Sequence, residues 1–164
     1  MRKGEMLSKA ILIATLAHEG QYDKGGKPYI LHPLTVLHKL KADDEELQCV
    51  AVLHDVIEDC SGKRIHLAGQ DEEISFDMLA AAGMSTRVVD CVRRLTKMPG
   101  QTYAQYQEAV LGDRDAMLVK REDLRTNSDL RRLKSRQITD KDVARVAKYM
   151  AFYALIESKL AENG

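Results

Sequence analysis

Apolar residues recur along the chain mostly with the spacing of one helical face. Leu7, Ala10, Ile11, Ala14 and Ala17 follow the i, i+3, i+4 pattern and Gly20 stops it, which predicts a helix over residues 5–19. The next stretch, GQYDKGGKPYI, is rich in glycine and lysine and reads as a loop whose backbone could come close to a ligand. His32-Pro33 opens a short helix to Leu40. Asp43, with Glu46 three residues on, forms a capping-box pattern, and the apolar run Leu47–Ile57 continues from it as one buried helix ending near Asp59. Residues 60–75 are polar and aperiodic and predict an irregular loop. Ser75 and Ser85 are placed to cap helices over Asp77–Ala82 and through Val88, Val89, Val92 and Leu95, until Met98-Pro99-Gly100 breaks the pattern. Tyr103–Val110 and Asp113–Asp123 read as two more helices. Thr139-x-x-Asp142 caps a last long one, whose expected buried face is Val143, Val146, Ala147, Met150, Ala154 and Leu160.

No stretch alternates with period two for long enough to predict a strand, so the expected fold is all-α: one compact helical domain over residues 4–161. At 164 residues the chain can bury a real core. It has 25 basic and 25 acidic residues and no formal net charge, so it lacks the surplus of cations that phosphate-backbone binding needs, and a nucleic-acid partner is not expected. No apolar run is long enough to span a membrane, and Lys9 and His18 interrupt the first helix, so neither membrane insertion nor a signal peptide is expected. Cys49, Cys60 and Cys91 are odd in number and widely spaced, which suits a reducing cytoplasm better than a disulfide framework. A homo-oligomer is compatible with all of this.

The chemistry concentrates in LHDVIED, where His54, Asp55, Glu58 and Asp59 interrupt an apolar helix. On a helix these positions are i, i+3 and i+4 neighbours, so an imidazole and three carboxylates share one flank. Such crowding costs repulsion and desolvation unless a cation compensates, and a divalent metal does so directly. The plain alternative is that this flank faces solvent. Further ligands are available in His32 and Asp123, with His18 and His38 as rival histidines, and spacing alone does not choose among them. Asp123 and Asn127 are i and i+4, although REDLRTNSDLRR could equally be a solvated charged face.

The ordered series KGGKPYILHP, LHDVIED, LTK with a following tyrosine, and VKREDLRTN resembles the HD superfamily of metal-dependent phosphohydrolases, most closely the hydrolase domains of RelA/SpoT-type and small alarmone hydrolases. The resemblance covers residues 4–135. It implies an HD-type helical bundle in which His32, His54, Asp55 and Asp123 hold one divalent ion, usually manganese. It assigns Glu58 and Asp59 to activating the attacking water and Asn127 to nucleotide contact. Lys24, with Lys97, Tyr103 and Lys120, would neutralise substrate phosphate. The implied activity is removal of pyrophosphate or phosphate from the 3′ position of a (p)ppGpp-like nucleotide. The alternatives are an HD phosphohydrolase acting on another nucleotide or a dinucleotide cofactor phosphate, and a non-catalytic nucleotide-binding sensor.

The metal and water groups keep the family pattern, whereas the nucleotide-facing residues depart from it. Asp23 stands where relatives place a base-stacking arginine, Gly25 stands where serine is usual, and Leu124-Arg125-Thr126-Asn127 replaces the common Arg-Leu-His-Asn. An acidic residue at position 23 is expected to weaken the hold on guanine.

Overall fold

The apolar stretch that follows Asp44 becomes the centre of the molecule. The structure is a computed structural model and describes residues 2–133 and 136–164, so the last two positions of the stretch carrying the resemblance, 134 and 135, lie outside the described residues. Helix α3 (Glu45–Leu53) buries Leu47 and every residue from Cys49 to Leu53. It packs against α1 (Glu5–Ala17), α2 (Leu31–Leu40), α6 (Thr86–Leu95) and α8 (Arg114–Asn127). Its cap is Asp44 rather than Asp43, with one carboxylate oxygen accepting from the Glu46 and Leu47 amides. Arg87 on α6 then gathers Asp44, Glu46 and Asp115, tying the start of α3 to α6 and α8.

The helix expected to run on to Asp59 is interrupted. It stops at Leu53, passes through a turn at His54 and Asp55, and resumes as α4 (Val56–Cys60). His54 Nδ1 donates to the Ala51 carbonyl at 2.7 Å, engaging a backbone acceptor at the point where regular winding ends. Asp55 (φ −101°, ψ −7°) sits in the bridge region that regular helix avoids.

Residues 60–75, expected to be irregular, contain an antiparallel hairpin, β1 (Arg64–Leu67) with β2 (Gln70–Glu73), in the register Arg64 to Glu73 and Leu67 to Gln70. Ala68 (φ 53°) and Gly69 (φ 85°) make the two-residue turn with positive φ at both positions that matches strand twist. Of these two strands only Ile65 is buried, so no apolar alternation marks them in the sequence. Helix α5 (Phe76–Ala81) follows, capped by Ser75, and α6 is capped by Ser85 as expected.

Helix α7 (Tyr103–Leu111) leads into α8, which runs one turn beyond the expected end to Asn127. Its REDLRTN segment is not a solvated face, because Glu122, Asp123, Leu124 and Thr126 are buried. A short 3₁₀ turn (Leu130–Leu133) and the long α9 (Asp140–Glu162) complete the described fold. The capping box at Thr139 and Asp142 forms, but α9 is rolled away from the expected face. Val143, Ala147, Met150 and Ala154 are exposed, while Asp142, Phe152 and Ile156 are buried. Two contacts set the roll: Asp142 accepts from Arg136 and Arg145, and Phe152 meets Tyr103 and Tyr106 edge-on. Among the described residues no helix is long and apolar enough to cross a membrane.

Candidate active site

Three elements converge on one point: the start of α2 supplies His32, the interruption between α3 and α4 supplies His54 and Asp55, and α8 supplies Asp123. One nitrogen or oxygen from each of the four lies within 4.8 Å of the others. His32 Nε2 is 2.8 Å from Asp123 Oδ1 and 3.6 Å from Asp55 Oδ2. His54 Nε2 is 3.0 Å from Asp55 Oδ2 and 3.4 Å from Asp123 Oδ1. These separations match the roughly 3 Å that neighbouring ligand atoms adopt around an ion bound at about 2.1 Å.

The donor atoms also carry the mark of a cation site. His54 Nε2 is buried without a hydrogen-bond partner, while Nδ1 of the same ring is occupied by the Ala51 carbonyl. That bond fixes the tautomer and aims the Nε2 lone pair at the two carboxylates, the usual outer-shell device for a ligating histidine. Two imidazoles and two carboxylates form a donor set that suits a divalent transition ion. Burial alone would push both carboxyls up. At Asp55 the adjoining His54 ring outweighs it, and at Asp123 the Lys120 ammonium and the two imidazoles do so, which leaves both below the ordinary carboxylate range.

Side chains around this quartet hold it in place. Tyr29 donates to Asp55 Oδ2 at 2.6 Å. Lys120 donates to Asp123 Oδ2 at 2.7 Å, and Asn127 Nδ2 donates to Asp123 Oδ1 at 2.8 Å. The extra turn of α8 is what brings Asn127 over Asp123.

Asp55 and Asp123 form part of the floor of a cavity of about 370 Å³ whose walls include Glu58, Asp59, Lys24, Lys120 and Asn127. Glu58 accepts from the Lys97 amide at 2.7 Å, and Asp59 accepts from Gln21 Nε2 at 3.0 Å. Partial desolvation at the cavity wall, reinforced by the nearby Asp55 charge, raises both carboxyls above their ordinary values. Lys24 is lowered by partial burial and by the facing Arg145 charge, with Arg136 and Arg132 also contributing.

The four expected ligands therefore assemble, and Glu58, Asp59, Lys24, Lys120 and Asn127 reach the same cavity. Lys97 and Tyr103 are not on its wall: Lys97 contributes its backbone amide to Glu58, and the Tyr103 ring packs among Tyr106, Phe152 and Lys148. His18 is buried but outside the quartet, and His38 is exposed. Gln21, Tyr29, Arg132, Arg145 and Tyr149 also line the cavity and are not among the expected site residues. A signal was available for Tyr29 and Gln21, which flank the glycine-rich loop, and for Arg145 and Tyr149, spaced i, i+4 on the last helix.

Asp23 takes a different part from the one expected. Its Oδ1 accepts from the Gly25 and Lys27 amides at 2.8 and 2.9 Å, and its Oδ2 faces Arg132 at 3.9 Å. Arg132 in turn donates to Asn127 Oδ1 at 2.8 Å. A Cβ at position 25 would stand 2.3 Å from the Arg132 carbonyl oxygen, so this loop packing requires glycine where relatives carry serine.

No family model matches the chain. A guanosine-3′,5′-bis(diphosphate) 3′-pyrophosphohydrolase of Vibrio cholerae serotype O1 is 33% identical over 149 residues, covering 82% of this chain and 20% of that protein. The bifunctional (p)ppGpp synthase/hydrolase SpoT of Escherichia coli K12 is 52% identical over 56 residues, 32% of this chain and 8% of that protein. The chain thus spans about a fifth or less of the length of these relatives. Among solved structures, a metazoan SpoT ortholog described as hydrolysing ppGpp superposes with a TM-score of 0.70 over 99% of this chain and 95% of that one, at 21% identity, and so shares its fold. Over most of its length the chain is thus similar in sequence to RelA/SpoT-type pyrophosphohydrolases, and over nearly all of it the chain shares the fold of the metazoan SpoT ortholog.

Proposed function

We propose that the chain is a manganese-dependent hydrolase that removes pyrophosphate from the 3′ position of a (p)ppGpp-like guanosine nucleotide. The observation that carries this reading is the quartet of buried His32, His54 and Asp123 with half-buried Asp55, beneath a cavity that places two carboxylates, Glu58 and Asp59, near the lysines Lys24 and Lys120. A bound divalent ion would supply Lewis acidity toward a phosphoryl oxygen and toward water. The protein does the rest. Glu58, raised by partial desolvation, removes a proton from the attacking water, and Asp59 orients that water through its remaining lone pairs. Lys24 and Arg145, which line the same cavity, neutralise the phosphates, and Asn127 holds Asp123 while offering a polar edge to the nucleotide. Attack at the proximal phosphorus of the 3′-diphosphate breaks its bond to the sugar oxygen, and the proton held by Glu58 is available to that leaving oxygen.

A second substrate class is favoured by one observation. Asp23 is committed to the loop backbone and no arginine occupies its position, so the site carries no evident device for guanine at that point. Another phosphorylated nucleotide, including a dinucleotide cofactor phosphate, would meet the same quartet. The sensor reading has less support, because Glu58 and Asp59 both reach the cavity.

The deciding experiment incubates the manganese-loaded protein with guanosine tetraphosphate, its adenosine counterpart and phosphorylated dinucleotides, and identifies the products by ion-exchange chromatography. Guanosine diphosphate and pyrophosphate are the expected products. Release of orthophosphate from a dinucleotide, with guanosine tetraphosphate untouched, would overturn the guanosine assignment. No turnover of any substrate by metal-loaded protein would return the chain to the sensor reading.

A further inference from the structure

His18 is a buried titratable group that the proposed chemistry leaves without a role. It closes α1, is 2% exposed, and lies against the Tyr29 ring with centroids 4.9 Å apart. Its Nδ1 is 2.8 Å from Gln21 Oε1, and Gln21 Nε2 is 3.0 Å from Asp59 Oδ2. These two contacts join a buried ring behind the cavity to a carboxylate on its wall.

The directions of the hydrogens in this chain are determined. An ionised carboxylate only accepts, so Gln21 must present its amide nitrogen to Asp59, which leaves its carbonyl oxygen facing His18. A carbonyl oxygen also only accepts, so His18 Nδ1 must carry the proton. The Cys60 thiol makes its shortest contact with the Ala17 carbonyl, to which it donates at 3.3 Å, while its sulfur lies farther off, 3.6 Å from His18 Nδ1 and 3.9 Å from Gln21 Oε1. His18 Nε2 is buried without a partner, which is tolerable for a bare lone pair and costly for an N–H. Burial lowers the pKa of the ring and favours its neutral form. An amide side chain can turn end for end about its last bond, and an inverted Gln21 would set a carbonyl oxygen against the Asp59 carboxylate. The His18 proton acts together with the Asp59 charge against that inversion, by giving the Gln21 oxygen a donor in its present place.

We infer that His18 is a positioning residue: by donating from Nδ1 to Gln21 it locks the Gln21 amide so that its NH₂ group holds Asp59 as an acceptor at the cavity wall. The inference rests on the hydrolase reading above for the role of Asp59, and the direction of the chain itself does not depend on the substrate.

Two measurements test it. Proton–nitrogen correlation spectra of the whole protein with labelled histidine report which ring nitrogen of His18 is protonated, and the expected result at neutral pH is the Nδ1–H tautomer. Observation of the Nε2–H tautomer or of a doubly protonated ring overturns the inference whatever the substrate. The second measurement is steady-state hydrolysis of guanosine tetraphosphate by the manganese-loaded protein. His18→Leu and Gln21→Met should each lower kcat by about tenfold or more with KM and manganese content little changed, and the double variant should lose no more than the worse single one. His18→Asn places an amide N–H near the Nδ1 position and should recover kcat to within about threefold of wild type. If His18→Asn is no better than His18→Leu although both fold, or if the two single losses multiply in the double variant, the ring serves packing alone and the inference falls. If the wild type does not hydrolyse this nucleotide, the functional reading fails instead, and the tautomer decides the inference.

Discussion

The Tyr29 hydroxyl donates to Asp55 Oδ2, the oxygen that also faces His54 and His32. Tyr29 enters from the loop before α2 and packs its ring between His18 and His32, so one side chain binds the loop, the quartet and the positioning chain together. Burial and the Asp55 charge raise its pKa far above the ordinary tyrosine value, so it remains a donor at any working pH. Tyr29→Phe keeps the ring and removes one charge-assisted hydrogen bond. We expect manganese affinity to fall about tenfold and stability to fall by about 1.5–3 kcal/mol, checked by metal titration and thermal unfolding. An unchanged metal affinity would show that Asp55 is oriented without this contact.

The quartet makes a sharper prediction about the rival histidines. His32 contributes a donor atom and His18 does not, so His32→Ala should abolish stoichiometric manganese while His18→Ala retains it. Asp55→Ala and Asp123→Ala should behave like His32→Ala, because each removes an oxygen that would bind the ion. Elemental analysis of the purified variants reads the outcome directly, and metal loss confined to His18→Ala would invert the assignment.

Much of this site was legible because its chemistry is costly. Carboxylates and a histidine inside LHDVIED stand out against Val52, Leu53, Val56 and Ile57, and the ordered motifs then draw in His32 and Asp123. Other features leave no such trace. The hairpin of residues 64–73 buries only Ile65, so it lacks the alternation that betrays a strand. The roll of α9 is decided by a buried Asp142 with two arginines and by Phe152, whereas its run of alanines and Val143 suggested another face. The break at His54 and Asp55 comes from a ring bonding its own backbone, which periodicity does not report. Gln21 and Arg132 are common residue types whose importance lies in their partners, and partners appear only once the chain is folded.

Glu58 carries the pH dependence. Partial desolvation and the Asp55 charge raise its carboxyl, so the group loses its proton at a higher pH than a fully solvated glutamate. A general base works only when deprotonated, so kcat/KM should fall as pH drops through this raised pKa, giving an acid limb above the ordinary glutamate range. Glu58→Gln should keep manganese and substrate binding, lower kcat by about 10²-fold or more, and remove that limb. The pH–rate profile of metal-loaded protein checks it, and a limb that survives in Glu58→Gln would move the base to Asp59.

The loop at Asp23 yields the prediction that most changes the reading of specificity. From sequence, an arginine at this position is the natural repair for a missing base contact. In the fold, Asp23 Oδ1 holds the Gly25 and Lys27 amides, and it is this turn that presents Lys24 to the cavity. An arginine has no acceptor with which to replace those two bonds, and it would set a guanidinium against Arg132, which Asp23 now faces at 3.9 Å. Asp23→Arg should therefore raise the KM for guanosine tetraphosphate several-fold by loosening the Lys24 loop, at about unchanged kcat. Asp23→Asn retains a side-chain oxygen for the turn and should stay within about twofold of wild type, because the facing pair is partly exposed and contributes on the order of 1 kcal/mol or less. A lower KM in Asp23→Arg, together with a higher ratio of guanine to adenine turnover, would show instead that this position reads the base.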